Sequence, residues 1–359
     1  MRDLNRRRLL RVMGATAALP LVPRLARAQE EPLKVGFVYV GPVGDFGWTY
    51  AHDQGRLQVE EHFGDAVETS FVENVAEGPD AERIIRQLAQ DGNKLIFTTS
   101  FGFMNPTVRV AKQFPDVYFE HATGYQRTEN LATYNARFYE GRAVLGTIAA
   151  MMSETGTAGY IASFPIPEVV MGINAFQLAA QKVNPDFKTQ VVWVSTWYDP
   201  AKEADAARAL LDQGADIITQ HTDSPAALQV AEERGAYAFG QATDMSRFAP
   251  RAHLTAIEDN WGPYYIQRVQ AVLDGAWETS DTWAGMKDGE VVMSEYRENV
   301  PAEVRAAAEA VEASIIDGSM HPFTGPILDQ AGAERVAPGV TMTDAELAGM
   351  DWYVQGVQS

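Results

Sequence analysis

The sequence predicts an α/β protein built from two doubly wound, parallel-sheet lobes. Three observations carry that prediction. Strand-like apolar runs alternate with helical patterns across residues 33–121, and the same alternation restarts at residue 157. One helix-to-strand turn is also written twice, as Asp91-Gly92-Asn93-Lys94-Leu95-Ile96 and as Gln213-Gly214-Ala215-Asp216-Ile217-Ile218. Copies so far apart repeat an architecture rather than a short solenoid unit.

Residues 33–40 are apolar enough for a buried parallel strand, and the Gly/Pro-rich stretch Gly41-Pro42-Val43-Gly44-Asp45-Phe46-Gly47 separates them from a helix over 50–63. Strands over 68–73, 94–99 and 117–121 then alternate with helices over 79–91 and 105–113; the first of these helices has acidic residues in its first turn. An apolar helix over 140–152 leads into the second set. That set comprises strands over 157–162, 188–195, 217–220 and 236–240 and helices over 168–183, 201–213 and 225–233. A strand over 254–257, a helix over 261–273, a strand over 289–293 and an Ala/Glu-rich helix over 301–317 complete the pattern. The last helix has Pro near its start and Gly318 past its end. With two sheets already defined, the chain is expected to return to the first lobe near residue 255 and to the second near 285. The N-terminal lobe is then 33–138 plus 255–282, and the C-terminal lobe and tail are 139–254 plus 283–359, joined by a three-segment hinge. From His321 onward, strand and loop are expected to pack on the second lobe.

The 359 residues are 46% apolar and 21% charged, an ordinary globular balance with enough chain for two cores. Residues 1–28 carry seven Arg and one Asp, so the formal charge of −19 becomes −25 on the remainder. An acidic surface of that size disfavours nucleic acid and anionic lipid as partners. The N-terminus reads as an export signal: a twin-arginine stretch Asn5-Arg6-Arg7-Arg8, an apolar run from Val12 to Val22, and Ala26-Arg27-Ala28 as a cleavage site. The apolar run is too short to span a bilayer, so cleavage near Ala28 would release the protein outside the cytoplasm without a membrane anchor. Zero cysteines exclude disulfides, a lipid-anchoring cysteine and thiolate zinc sites.

Parallel sheets place ligands beyond the carboxyl ends of their strands. The loops expected there are 41–50, 100–105, 163–168, 196–200, 221–225 and 241–244, and four of the six carry large aromatics. Aromatics facing each other across a cleft suit a flat ring, stacking being worth about 0.5–1.5 kcal/mol beyond burial. Each could instead cap a lobe core. Trp48, at the head of a helix after Gly47, and Trp197, in Trp197-Tyr198-Asp199-Pro200, are the preferred stackers, with Phe46, Phe101 and Phe103 beside them. Ser100, His221, Asp223, Asp45 and Asp244 are candidates to read a ring edge, although Asp45 and Asp244 could equally be helix N-caps; Asp199 is read as a cap. The six His are scattered, and H-E-x-x-H, G-x-S-x-G, Walker and G-x-G-x-x-G motifs are missing. No catalytic residue, metal ligand or cofactor is therefore assigned.

In combination, Lys34-Val35-Gly36-Phe37-Val38, the Gln213–Ile218 turn, Tyr198-Asp199-Pro200-Ala201-Lys202 and Asn260-Trp261-Gly262-Pro263-Tyr264-Tyr265 resemble the basic membrane protein family over about residues 33–330. These are substrate-binding proteins of ABC importers for purine nucleosides and related compounds. The resemblance implies a type I periplasmic-binding-protein fold, an extracytoplasmic location and a membrane permease as partner. It also implies that Trp48 and Trp197 stack on a base and that Asp45 bonds its ring. Gly44 and Thr49 replace an Asp and an Asn of the family loop. The positions at which nucleoside-binding relatives hold ribose, through an Asp and a Lys, correspond here to Ala242 and Asp259. Without those partners the expected ligand is a free purine base, adenine first, with a nucleoside as the alternative. A ligand-binding sensor and, less favoured, a periplasmic nucleoside hydrolase remain as other classes.

Overall fold

The computed structural model describes residues 31–359; the expected export signal and its cleavage near Ala28 lie outside the described residues. The first lobe runs β1 (Leu33–Val38), α1 (Gly47–Phe63), β2 (Val67–Val72), α2 (Pro79–Gln90), β3 (Leu95–Thr98), α3 (Met104–Ala111), β4 (Tyr118–Ala122) and β5 (Leu131–Ala136). Helix α4 (Phe138–Met152) then opens the second lobe, followed by β6 (Thr157–Ala162), α5 (Pro167–Val183), β7 (Lys188–Trp193), α6 (Pro200–Asp212), β8 (Ile217–His221), α7 (Ala226–Arg234), β9 (Tyr237–Gly240) and β10 (His253–Asp259). The chain returns to the first lobe through α8 (Gly262–Leu273) and β11 (Asp281–Ala284), and to the second through β12 (Val291–Met293) and α9 (Ala302–Ile316). A small pair of strands, β13 (Ile327–Leu328) and β14 (Glu334–Val336), precedes α10 (Asp344–Ala348) and β15 (Val357–Gln358).

The two main sheets have the orders β11-β5-β4-β3-β1-β2 and β12-β10-β9-β8-β6-β7-β15. Their pairings are parallel except β10 with β12. Central strands such as Leu95–Thr98 and Ile217–His221 are buried along their whole length, although only Leu95-Ile96-Phe97 and Ile217-Ile218 of them are apolar. Helix α4 is buried on nearly every face because it packs between α5 and α9.

Three features depart from the sequence reading. Strands β5 and β11 were not expected, and they extend the first sheet beyond β4. The strand near residue 255 belongs to the second sheet, so the return to the first lobe follows Asp259 instead of residue 255. Its register sets Ala256 opposite Gly240, and a Cβ at Gly240 would lie only 2.7 Å from that of Ala256. The glycine admits β10 beside β9.

The first lobe is fastened to its returning segment by buried polar groups. Glu120, fully buried on β4, accepts from Tyr264 Oη (2.7 Å), Arg268 Nε (2.5 Å) and Trp277 Nε1 (2.7 Å). Tyr265 Oη lies 2.5 Å from His52 Nδ1 and 3.0 Å from Tyr134 Oη, tying α8 to α1 and β5. No helix among the described residues is long and apolar enough to cross a membrane.

Candidate functional site

A small cavity of about 30 Å3 lies between the lobes. The first lobe contributes Val40, Trp48, Ser100, Phe101 and Thr123; the second contributes Glu168, Trp197, His221, Asp223 and Gln241. Apart from Trp48 and Glu168, in the first turns of α1 and α5, each lies at or just past the carboxyl end of a strand: β1, β3, β4, β7, β8 or β9.

Trp48 enters from the first lobe with its edge fixed. Its Nε1 donates to the Thr99 carbonyl (2.6 Å), and its ring meets those of His52 (4.3 Å) and Trp261 (5.5 Å) edge to face. Trp197 enters from the opposite lobe, tilted over Phe164 at 5.1 Å, and its Nε1 donates to Glu77 Oε1 (3.2 Å). The same Glu77 oxygen accepts from Ser100 Oγ (2.6 Å) and the Gly102 amide (3.1 Å). With both indole N–H groups used by the protein, what each ring can still offer a ligand is its π face.

The amino end of α1 has no cap from its own side chains. Its exposed amides are satisfied from across the cleft: Gly47 N–H donates to Thr243 Oγ1 (2.9 Å) and Trp48 N–H to Asp223 Oδ1 (3.4 Å). Gly47 sits at φ +76°, and a Cβ there would lie 2.7 Å from the Asp223 carbonyl oxygen, so the approach of the lobes requires glycine.

Burial pushes the Asp223 carboxyl up to about 8, the nearby Glu203 charge adding to the effect and the Trp48 amide opposing it. Asp223 therefore carries a proton at neutral pH and can donate as well as accept. Burial also raises Glu203, to about 7, despite hydrogen bonds from the Asp199 and Ser224 amides. His221 is lowered by burial and is neutral, with Nε2 3.4 Å from Glu168 Oε1. Behind the wall, fully buried Arg142 donates to Thr219 Oγ1 (3.1 Å), to the Gln220 carbonyl (2.8 Å) and to Gln241 Oε1.

Of the sequence-derived candidates, Trp48, Ser100, Phe101, Trp197, His221 and Asp223 share this cavity. Four others lie elsewhere. Asp45 faces outward and pairs with Arg247 of the other lobe, being neither a ring-edge group nor a cap. Phe46 packs edge to face on Phe248 (5.1 Å) across the junction. Phe103 is fully buried in the first lobe's core. Asp244 accepts from the Ser246 amide (2.8 Å) in a local turn; the N-cap position of the short helix over Ser246–Phe248 is Met245, so Asp244 is not the helix cap that was its alternative. Asp199 does cap α6, accepting from the Lys202 amide (3.1 Å).

Sequence position alone did not single out Val40, Thr123, Glu168 and Gln241 on the wall, Arg142 behind it or the exposed Glu77 that holds Trp197. Glu168 and Gln241 fall within expected strand-end loops, so position was the available signal. Ala242 and Asp259 line a separate groove beside Asp45 and Asp244. Asp259 is buried there, and neither carboxylate oxygen has a hydrogen-bond partner among the described residues. No group of three or more His, Asp or Glu among the described residues is placed to hold a metal ion.

Comparison with known proteins adds family and fold. The model of a family described as ABC transporter substrate-binding protein, PnrA-like, matches residues 33–321. A purine-binding protein of Brucella abortus is 62% identical over 328 residues, covering 91% of this chain and 93% of its own. A putative ABC transporter glucose-binding protein of Haloferax volcanii is 39% identical over 298 residues, covering 83% of this chain and 76% of its own. Among solved structures, an ABC transporter solute-binding protein of Aeropyrum pernix superposes with a TM-score of 0.70 at 18% identity, covering 89% of this chain and 98% of its own. One from Conexibacter woesei gives 0.64 at 20%, covering 80% and 98%. Both structures bear on the fold alone, which is the type I periplasmic-binding-protein fold.

Proposed function

The chain belongs to the PnrA-like family of ABC transporter substrate-binding proteins, and from that premise we propose that it captures a purine base, adenine first, between its lobes and delivers it to a membrane permease. The observation that carries this reading is the pair of indoles, Trp48 and Trp197, brought from opposite lobes to one cavity with their N–H groups already bonded. Indole faces of this kind favour a flat ring, and Ser100, His221, Glu168 and Asp223 offer donors and acceptors for its edge. The Brucella relative's name supports the purine class.

Closure follows from differential affinity. A ligand held by both indoles and both sets of edge groups stabilises the apposed lobes over the separated ones. No covalent step is involved.

Calorimetry on refolded, ligand-stripped protein tests the proposal. Adenine should bind with Kd below about 100 μM, on the scale of a specific small-molecule complex. Failure of adenine and all purine nucleosides to bind in that range, or tighter binding of glucose, would overturn it. A nucleoside is the second reading, favoured by a groove of about 380 Å3 that shares Phe101, Thr123 and Glu168 with the cavity and could receive a sugar. Native mass spectrometry of protein purified without added ligand separates the two through the retained mass.

A further inference from the structure

Gln241 is almost fully buried, yet its side chain reaches the cavity wall. The atom it turns toward Arg142 is fixed by chemistry. A guanidinium has five donors and no acceptor, so the amide must present its oxygen. Arg142 in turn has little freedom, because Thr219 Oγ1 and the Gln220 carbonyl hold its two terminal nitrogens and the Tyr160 ring lies 5.3 Å from its guanidinium carbon. The amide nitrogen of Gln241 makes no hydrogen bond to the protein among the described residues, and it belongs to a side chain on the wall.

Resting on the purine reading above, we infer that Gln241 is a specificity-determining residue. It is a hydrogen-bond donor locked in orientation by Arg142, and it selects ligands that present an unprotonated ring nitrogen or a carbonyl at that edge. A glutamine free to rotate about its last bond would accept either a donor or an acceptor. This one cannot turn without placing its NH2 group against a buried cation. A ligand with N–H or C–H at that place leaves the donor unpaired in a closed cavity, and such a loss discriminates far better than a difference in apolar contact.

The test is a cycle of protein and ligand changes, with adenine and its 1-, 3-, 7- and 9-deaza analogues titrated into the wild type, Gln241→Met and Gln241→Glu. Each analogue replaces one ring nitrogen by C–H. In the wild type, the analogue lacking the nitrogen that faces Gln241 should bind about tenfold more weakly than adenine. That penalty should vanish in Gln241→Met while the other analogues keep theirs. Gln241→Glu retains a contact to Arg142 but offers an acceptor, so it should bind adenine more weakly than Gln241→Met while melting no lower. A residue with only a structural role would shift all ligands and the melting temperature together, leaving the analogue pattern intact. Purine binding with every analogue penalty unchanged in Gln241→Met overturns this inference alone. Binding of no purine by the wild type removes the purine reading, and this inference with it.

Discussion

Replacing Gly47 by Ala puts a methyl group 2.7 Å from the carbonyl oxygen of Asp223, across the junction of the lobes. Two separable effects follow. Gly47 lies at φ +76°, where an L side chain is strained by about 1–2 kcal/mol whether the lobes are together or apart. The contact with Asp223 exists only when they are together. Because a backbone atom cannot swing aside, the closed form must shift, at the roughly 1–3 kcal/mol typical of overpacking. Gly44 supplies the control: it has φ +52° and nothing within 4 Å of an added Cβ, so Gly44→Ala carries the strain without the clash. Both variants should lose similar stability in urea titrations of ligand-free protein. In calorimetry with adenine, Gly47→Ala alone should lose roughly 5- to 150-fold in affinity, the span of 1–3 kcal/mol of coupling. If the two variants titrate alike, closure does not bring Gly47 onto Asp223 in the bound state, and the account of the junction fails.

Three further outcomes are expected. Trp48→Ala should lower adenine affinity by about 1.5–3 kcal/mol, the scale of an aromatic hot spot; an unchanged titration would assign Trp48 to the core. The Asp223 carboxyl stands at about 8 in the folded protein, above its ordinary value, so the stability it confers is complete at acid pH and is lost as pH rises through about 8. Melting curves from pH 5 to 9 should therefore fall less steeply for Asp223→Asn than for wild type, and parallel curves would contradict this. Removing the buried Glu120 carboxylate in Glu120→Ala strands Arg268, Tyr264 and Trp277, and should cost about 3–5 kcal/mol in urea unfolding, with Glu120→Gln milder.

Much of this molecule is legible in its sequence because central parallel strands must be apolar on both faces. Edges are harder. Strand β11, Asp281-Thr282-Trp283-Ala284, is short and partly exposed, so its residues carry no burial pattern to read. A strand signal also says nothing about which sheet receives it, and β10 was misassigned for that reason. Strand-end position brought Trp48, Ser100, Phe101, Trp197, His221 and Asp223 to one cavity. It could not say which way a loop turns. Gly44 and Gly47, both at positive φ, flank Asp45, whose carboxylate turns outward to Arg247. Glu168 looked like an ordinary acidic residue in a helix's first turn, and only packing against His221 distinguishes it.

Glu77 carries a consequence for how fast the jaws can shut. Its Oε1 is gripped by Ser100 and Gly102 of its own lobe before Trp197 arrives from the other. The rotamer freedom of that long acidic side chain is thus already restricted by its own lobe. Meeting the second lobe then needs no search by the carboxylate. The latch is cocked in advance, and the time taken to seal the cleft should be set by the swing of the lobes rather than by the settling of their contacts.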